Sequence, residues 1–117
     1  HGGLAEHRRS GMPKYLITVR YEADGAKGLI KAGGTTRTEV IRSLIQGLGG
    51  TMEAFYYSFG EADAYLIVDV PEQSDALALS LAVNASGAVH SSATPLIPAS
   101  EVDAAAKKVP AYRAPGA

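Results

Sequence analysis

Cysteine is absent from this sequence, which excludes disulfides, zinc–thiolate sites and cysteine nucleophiles. An excess of positive charge is also missing: the formal net charge is −1, which argues against nucleic-acid binding. No apolar run approaches the roughly 18 residues that a membrane span needs. The longest run, Ala76–Val83, is short and contains Ser80. We therefore expect a cytoplasmic protein whose partners include neither nucleic acid nor a membrane.

A chain of 117 residues is long enough for one domain with its own core. Residues 1–11 (HGGLAEHRRSG) lack periodicity and stop just before Met12, so we interpret them as a leader or an expression remnant. The segment 109–117 is rich in proline and alanine and is expected to be a flexible tail. The predicted domain therefore covers residues 12–108.

Four strands are predicted, and two of them form a hairpin. Thr51–Phe59 and Ala64–Val70 are rich in aromatic and β-branched residues and flank a short break that contains Gly60. Tyr15–Tyr21 alternates between two faces with the period of a half-buried strand. Ala88–Leu96 is the fourth strand, and the prolines at its end favour an edge position in the sheet.

A helix is predicted from Thr36 to Leu48. Thr36 and Glu39 match the Ser/Thr-x-x-Glu capping box, in which each side chain binds a free backbone N–H at the helix start. If the apolar stripe of this helix packs on the sheet, Leu44→Ala should cost about 2–5 kcal/mol, as buried large-to-small substitutions do. The stripe consists of residues at helical spacing, namely Val40, Ile41, Leu44 and Ile45.

Shorter helical segments complete the pattern. Asp24 can cap a helical turn over residues 25–32, and Ser100–Lys108 forms a short C-terminal helix. Pro71 and Glu72 open a helix after the hairpin, because proline at the first position loses no hydrogen bond. The order is β-α-β-β-α-β plus a terminal helix. This order predicts an α+β domain of the ferredoxin-like class, an antiparallel sheet with helices on one face.

Four stretches together resemble the GYD-domain proteins, which are small bacterial and archaeal domains of unassigned activity. They are MPKYLITVRY (12–21), GAKGLIKAGG (25–34), LGGTMEAFYYSFGEAD (48–63) and LSLAVNASGAV (79–89). Gly60 and Asp63 match the name-giving motif, whereas Ala62 stands where the family has tyrosine. The family is similar in layout to the dimeric α+β barrels, which include monooxygenases, isomerases and decarboxylases. The resemblance therefore implies a fold and leaves the activity open.

One face of the predicted sheet is expected to stay uncovered by helices. The helices should cover the face that bears Ile17, Val19, Phe55, Leu66 and Val68. The apolar residues of the opposite face, here called the open face, would form a patch too large for bare solvent contact. We therefore expect a homodimer or higher oligomer, with a ligand between sheet and partner as the other way to cover the patch. The open face would present Leu16, Thr18, Arg20, Met52, Ala54, Tyr56, Tyr65, Ile67, Asp69, His90, Ser92 and Thr94.

Side chains from several strands of the open face could converge on one ligand. Arg20 could fix an anion, while Tyr56 and Tyr65 could supply ring surface and hydroxyl donors. His90 could act as a general base, because its ordinary pKa lies near neutrality. Asp63 is a further predicted ligand-binding residue. A lone histidine on a strand is also often structural. The sequence therefore leaves two hypotheses, a small-molecule-binding or enzymatic domain and a purely structural or regulatory oligomerisation module.

Other motifs give weaker signals. Gly33-Gly34 before a helix could cradle a phosphate through backbone N–H groups, but both glycine-rich nucleotide patterns are missing, and a helix break explains the pair. Glu61 and Asp63 flank the hairpin turn, where polar residues are common without any chemistry. His90 with Asp69 provides too few ligands for a metal ion. We therefore predict neither a metal nor a cofactor.

Overall fold

The computed structural model describes residues 11–116, so ten residues of the predicted leader and the final Ala117 lie outside the described residues. The strands are β1 (Lys14–Tyr21), β2 (Thr51–Tyr57), β3 (Ala64–Asp69) and β4 (Val89–Leu96). The helices are α1 (Ala23–Ala32), α2 (Gly34–Gly47), α3 (Gln73–Ala85) and α4 (Ala99–Ala106). None of the helices in this part of the chain combines the length and the apolar character needed to cross a membrane.

The four strands form one sheet in the order β2-β3-β1-β4. Every neighbouring pair is antiparallel: β1 with β3, β1 with β4, and β2 with β3. Each predicted strand is confirmed, with ends that differ from the prediction by two residues at most. The edge position predicted for β4 is confirmed too. The domain is therefore an α+β protein built on a four-stranded antiparallel sheet.

The core lies between one face of this sheet and the helices α2 and α3. Ile17, Leu66 and Val68 project from the two central strands and are buried. Ile45 from α2 and Leu79 from α3 join the same apolar cluster. Burying a side chain of this size contributes about 1.5–3 kcal/mol. The face predicted to be covered by helices is thus confirmed in its central part.

A β-bulge at Glu53 overturns the predicted position of Met52. Met52 pairs with Val68 and Ala54 pairs with Ile67, so Glu53 is an extra residue with no partner across the strands. The extra residue shifts the alternation of side chains by one position. Met52 is consequently only 8 % exposed in the core and does not belong to the open face.

The predicted capping box at Thr36 and Glu39 is wrong, because helix α2 begins earlier. Gly33 precedes the helix with φ 87° and separates α1 from α2, a conformation that glycine adopts readily. Thr36 therefore lies inside the first turn, and Glu39 accepts a 3.4 Å hydrogen bond from Arg42 instead. The preceding α1 is a ten-residue helix from Ala23 to Ala32 rather than a short turn, so Asp24 lies in its first turn.

A side-chain hydrogen bond of the capping-box kind is found at α3. There the backbone N–H of Glu72 donates to Oδ2 of Asp75 over 2.9 Å. This bond satisfies one of the backbone groups at the helix start. Glu72 therefore fixes where α3 begins, close to the predicted opening at Pro71 and Glu72.

Only some residues of the apolar stripe of α2 pack on the sheet. Ile45 is 0 % exposed, and Ile41 packs against the core. Val40 and Leu44, in contrast, are 45 % and 40 % exposed. The prediction that all four residues are packed on the sheet is therefore correct for Ile41 and Ile45 and wrong for Val40 and Leu44.

A C-terminal arm, residues 97–116, extends from the body of the domain. Every residue of the arm is exposed, including the apolar Ile97, Val102, Val109 and Tyr112. The radius of gyration is 17.6 Å, whereas a compact domain of about 100 residues has a value near 13 Å. The arm thus presents apolar side chains to solvent in the single chain. It includes α4, which confirms the predicted C-terminal helix with bounds shifted by up to two residues.

Candidate ligand-binding cleft

The open face carries the predicted ligand residues in two neighbouring rows. Tyr56 pairs with Tyr65, and Tyr65 pairs with Thr18, so the two tyrosines are direct neighbours across the strands. Arg20 pairs with His90 one row further along β1. The structure therefore brings all four predicted side chains to one surface. Their roles in binding or catalysis stay predictions.

The surface around these four residues is shallow rather than concave. Tyr56 is 74 % exposed, Tyr65 is 38 % exposed, and both Arg20 and His90 are exposed. Among the described residues, no side-chain hydrogen bond joins any two of these four. A flat, wet surface holds a small ligand poorly, because small-molecule sites are typically concave and mostly apolar. In the single chain, these four side chains thus lie on an exposed surface and do not form a pocket.

Asp63 has a backbone role at the end of the hairpin. Its carboxylate Oδ2 accepts the backbone N–H of Tyr21 over 2.8 Å. The backbone N–H of Asp63 donates to the carbonyl of Val19 over 2.8 Å, and its carbonyl accepts the backbone N–H of Ser58 over 2.8 Å. The structure thus uses Asp63 to attach the hairpin to β1 beside Arg20. Within residues 11–116, no side-chain hydrogen bond or ion pair joins its carboxylate to Arg20, Tyr56 or Tyr65. Beside it, Ala62 is buried, so a tyrosine at that position would displace its neighbours.

An ion cluster that the sequence did not predict lies at the far end of the open face. Nζ of Lys14 donates to the carboxylate of Glu53 and, over 3.1 Å, to Oδ2 of Asp69. The hydrogen bond with Glu53 raises the pKa of Lys14, burial opposes the rise, and Asp69 adds to it. The bulge places Glu53 in this cluster, and no local sequence signal marks the bulge. Within residues 11–116, no group of three or more histidine or acidic side chains could hold a metal ion.

A partly open apolar groove lies on the other side of the sheet. Helix α2 packs mainly on β2, and α3 packs mainly on β4, so a gap remains between the helices above the central strands. This gap, here called the cleft, has a volume of about 210 Å³. Its apolar floor and walls include Ile17 and Leu66 from the sheet, Val40 and Leu44 from α2, and Val83 from α3. The partial exposure of Val40 and Leu44 is explained by their position on this wall.

Tyr21 and Arg37 line the cleft together with three serines and are its two large polar side chains. Burial raises the pKa of Tyr21 to about 12, the nearby Tyr57 adds to the rise, and the positive charge of Arg37 opposes it. Tyr57 donates its hydroxyl proton to the carbonyl of Gly34 over 2.9 Å. At neutral pH the cleft thus contains a protonated phenol and a cation with an apolar floor beneath them.

The contact between Tyr57 and Gly34 also bears on the predicted glycine pair. A side chain at Gly34 would lie 3.1 Å from the ring of Tyr57, so the glycine permits close packing of that ring. The helix-break interpretation of Gly33-Gly34 is therefore favoured over a phosphate cradle. The sequence alone did not predict the cleft, although it contains one signal. Arg37 precedes the apolar residues Val40, Ile41 and Leu44 by three, four and seven positions. At this spacing, Arg37 lies on the same helix face as these apolar residues.

Comparison with known proteins gives one match. The sequence model of the GYD domain matches residues 15–106, which is most of the chain and includes all four strands except for Lys14, the first residue of β1. No curated protein and no solved structure matches the chain. The match supports the resemblance that the four sequence stretches suggested. The chain belongs to the GYD domain family.

Proposed function

We propose that this GYD domain binds a small, mainly apolar molecule in the cleft between the sheet and helices α2 and α3. The observation that carries the proposal is the cleft itself, about 210 Å³ of space with mainly apolar walls. Protein interiors are normally packed without such gaps. Empty apolar volume costs about 24 cal/mol per Å³, so filling the cleft would return up to about 5 kcal/mol. This corresponds to a dissociation constant on the order of 0.1–1 mM.

The volume also limits the size of the ligand. A cavity of about 150 Å³ in another protein holds benzene, and the cleft is somewhat larger at about 210 Å³. A single ring with a short side chain, or a branched aliphatic chain of similar size, would fit. Nucleotides and other large cofactors would not fit in the cleft as it stands.

The open face is proposed to bind a second copy of the chain. Tyr56, Tyr65 and Ile67 give it the apolar patch that a face of this kind needs to bury. Its two ends differ in charge: Lys14 with two carboxylates lies at one end, and Arg20 with His90 at the other. A two-fold axis that runs across the strands would place each end against the opposite end of the partner. The exposed C-terminal arm offers further apolar surface for the same contact.

A ferredoxin-like fold would suit this pairing of sheets. Read from the β4 edge, the strand order is β4-β1-β3-β2, and α2 and α3 pack on the same face. Two such sheets stacked through their open faces would resemble a dimeric α+β barrel. Helices α1 and α4 would then be additions to the basic β-α-β-β-α-β pattern.

The binding proposal is tested by filling the cleft. Leu44→Phe adds volume at the cleft wall, and Leu81→Phe is a matched control on α3, since Leu81 is exposed and does not line the cleft. The probe is phenylpropanol, a neutral molecule of suitable size, and binding is measured by NMR titration of the tag-free protein. We expect the wild type and Leu81→Phe to bind in the submillimolar range and Leu44→Phe to bind at least about tenfold more weakly.

Equal binding by all three proteins would place the probe elsewhere and refute the cleft as its site. Absence of binding in the wild type, together with a stable dimer, would favour the structural oligomerisation module. Both outcomes can be distinguished from a folding defect by comparing the far-UV circular dichroism of the variants.

A further inference from the structure

Arg37 is the one charged residue among the described residues that line the cleft. Its side chain is half-buried, and the other lining residues are apolar apart from Tyr21 and three serines. The part of the chain that the structure describes contributes no aspartate or glutamate to the lining. Within residues 11–116, the ion pairs join Lys14 to two carboxylates and Arg42 to Glu39, and none includes Arg37. A cation next to apolar walls loses hydration without gaining a counter-ion, which is unfavourable unless a partner arrives.

Tyr21 supplies a hydroxyl donor to the same cleft. Because its pKa is about 12, the phenol keeps its proton at neutral pH. The carbonyl of Gly34 accepts a hydrogen bond from Tyr57, and the carboxylate of Asp63 accepts the backbone N–H of Tyr21. The Tyr57 hydroxyl is the neighbour with which the Tyr21 hydroxyl interacts in the single chain. Among the described residues that line the cleft, Arg37 thus has a positive charge that no lining carboxylate balances, and the carboxylate of Asp63 lies beside Tyr21 outside the lining.

We propose that the ligand of the cleft is a small apolar carboxylate, bound at its charged end by Arg37 and the Tyr21 hydroxyl. This inference rests on the proposed function and names the chemical class of its ligand. The planar guanidinium matches a carboxylate with two parallel hydrogen bonds, which are among the stronger ones in proteins. The apolar part of the ligand, about eight non-hydrogen atoms by the comparison with benzene, lies on Ile17, Leu66 and Val83.

The charge of the cleft favours a carboxylate over a phosphate ester. A phosphate monoester carries between one and a half and two negative charges near neutral pH, whereas Arg37 provides a single positive charge. Lys14 and the other described lysines do not line the cleft, so no second cation is available there. A carboxylate has one negative charge, which the single positive charge of Arg37 balances when the ligand is bound.

The test compares phenylpropionate with the neutral phenylpropanol on the same variants. Arg37→Gln removes the charge, and Arg42→Gln is the matched control, because Arg42 lies on the same helix and pairs with Glu39 outside the cleft. We expect Arg37→Gln to bind phenylpropionate about 10- to 100-fold more weakly, the loss of a charged hydrogen bond. Its affinity for phenylpropanol should stay within about twofold of the wild type. Arg42→Gln should match the wild type for both probes.

Four results would overturn the inference, and they separate it from the proposed function. If phenylpropanol binds in the cleft but phenylpropionate binds no more tightly, the cleft stands and the carboxylate assignment fails. If Arg37→Gln and Arg42→Gln weaken phenylpropionate equally, Arg37 is not the partner. If neither probe binds the wild type, the proposed function fails together with the inference. Phenyl phosphate serves as a third probe, and its preference over phenylpropionate would also refute the assignment.

Discussion

Replacing Ile45 by alanine should destabilise the protein far more than replacing its neighbour Leu44. Ile45 is 0 % exposed and belongs to the core cluster, so truncation leaves a closed cavity. The expected loss in the free energy of unfolding is about 3–4 kcal/mol, inside the usual range for buried aliphatic residues. Leu44 is 40 % exposed and borders the cleft, so truncation widens an existing gap. Multiplying the stabilisation by a fully buried leucine side chain by the buried fraction of Leu44 gives an expected loss in the free energy of unfolding of about 1 kcal/mol.

Urea unfolding followed by circular dichroism measures both values. Protein concentration must be the same for all samples, because the stability of an oligomer depends on it. Equal m-values for the wild type and both variants are needed before midpoints are converted to free energies. If Leu44→Ala loses as much stability as Ile45→Ala, or more, α2 lies on the sheet in a different rotation from that of the structure, and the cleft wall is assigned to the wrong residues.

The proposed dimer and the buried phenol give two further tests. Tyr56→Asp should convert the proposed dimer to a monomer, as measured by sedimentation velocity. Phe59→Asp should leave the dimer intact, since Phe59 is fully exposed at the hairpin turn. A monomeric wild type would refute the interface. For Tyr21, folding raises the pKa from 10.0 to about 12, so the unfolded chain loses this proton first as the pH rises. Its stabilising contribution is complete below pH 10 and is lost between pH 10 and 12. Urea midpoints should therefore fall less steeply over that interval in Tyr21→Phe, and equal slopes would contradict the raised pKa.

Regular alternation explains why most of the sheet could be predicted from the sequence. In β1 the side chains alternate without interruption, so Ile17 and Arg20 fall on the faces that the period of two assigns to them. In β2 the period of two assigns Met52 to the wrong face. The bulge at Glu53 depends on pairing with β3, and the residues around it do not indicate it in the sequence. The start of α2 failed for a related reason: Thr36 and Glu39 have the right spacing for a cap, but the backbone at Gly33 sets the boundary.

The candidate cleft could be predicted only in part. The position of Arg37 on the apolar face of α2 follows from helical spacing alone, and a cation on such a face indicates an unusual environment. The gap that Arg37 faces depends on how far α2 and α3 lie apart on the sheet, which is a tertiary property. The four residues predicted on the open face do share one surface, yet the shape of that surface could not be derived from their spacing.

The bulge at Glu53 has a consequence for how copies of this chain can associate. The bulge interrupts the regular backbone hydrogen bonding of β2, which is one edge strand of the sheet. In β4, the other edge strand, Pro95 has no backbone N–H to donate. Irregular or proline-containing borders resist the addition of further strands, and this protects against ribbon-like growth into fibrils. The proposed association through the open face needs neither of these edges, and a two-fold contact there would close on itself with a finite number of copies.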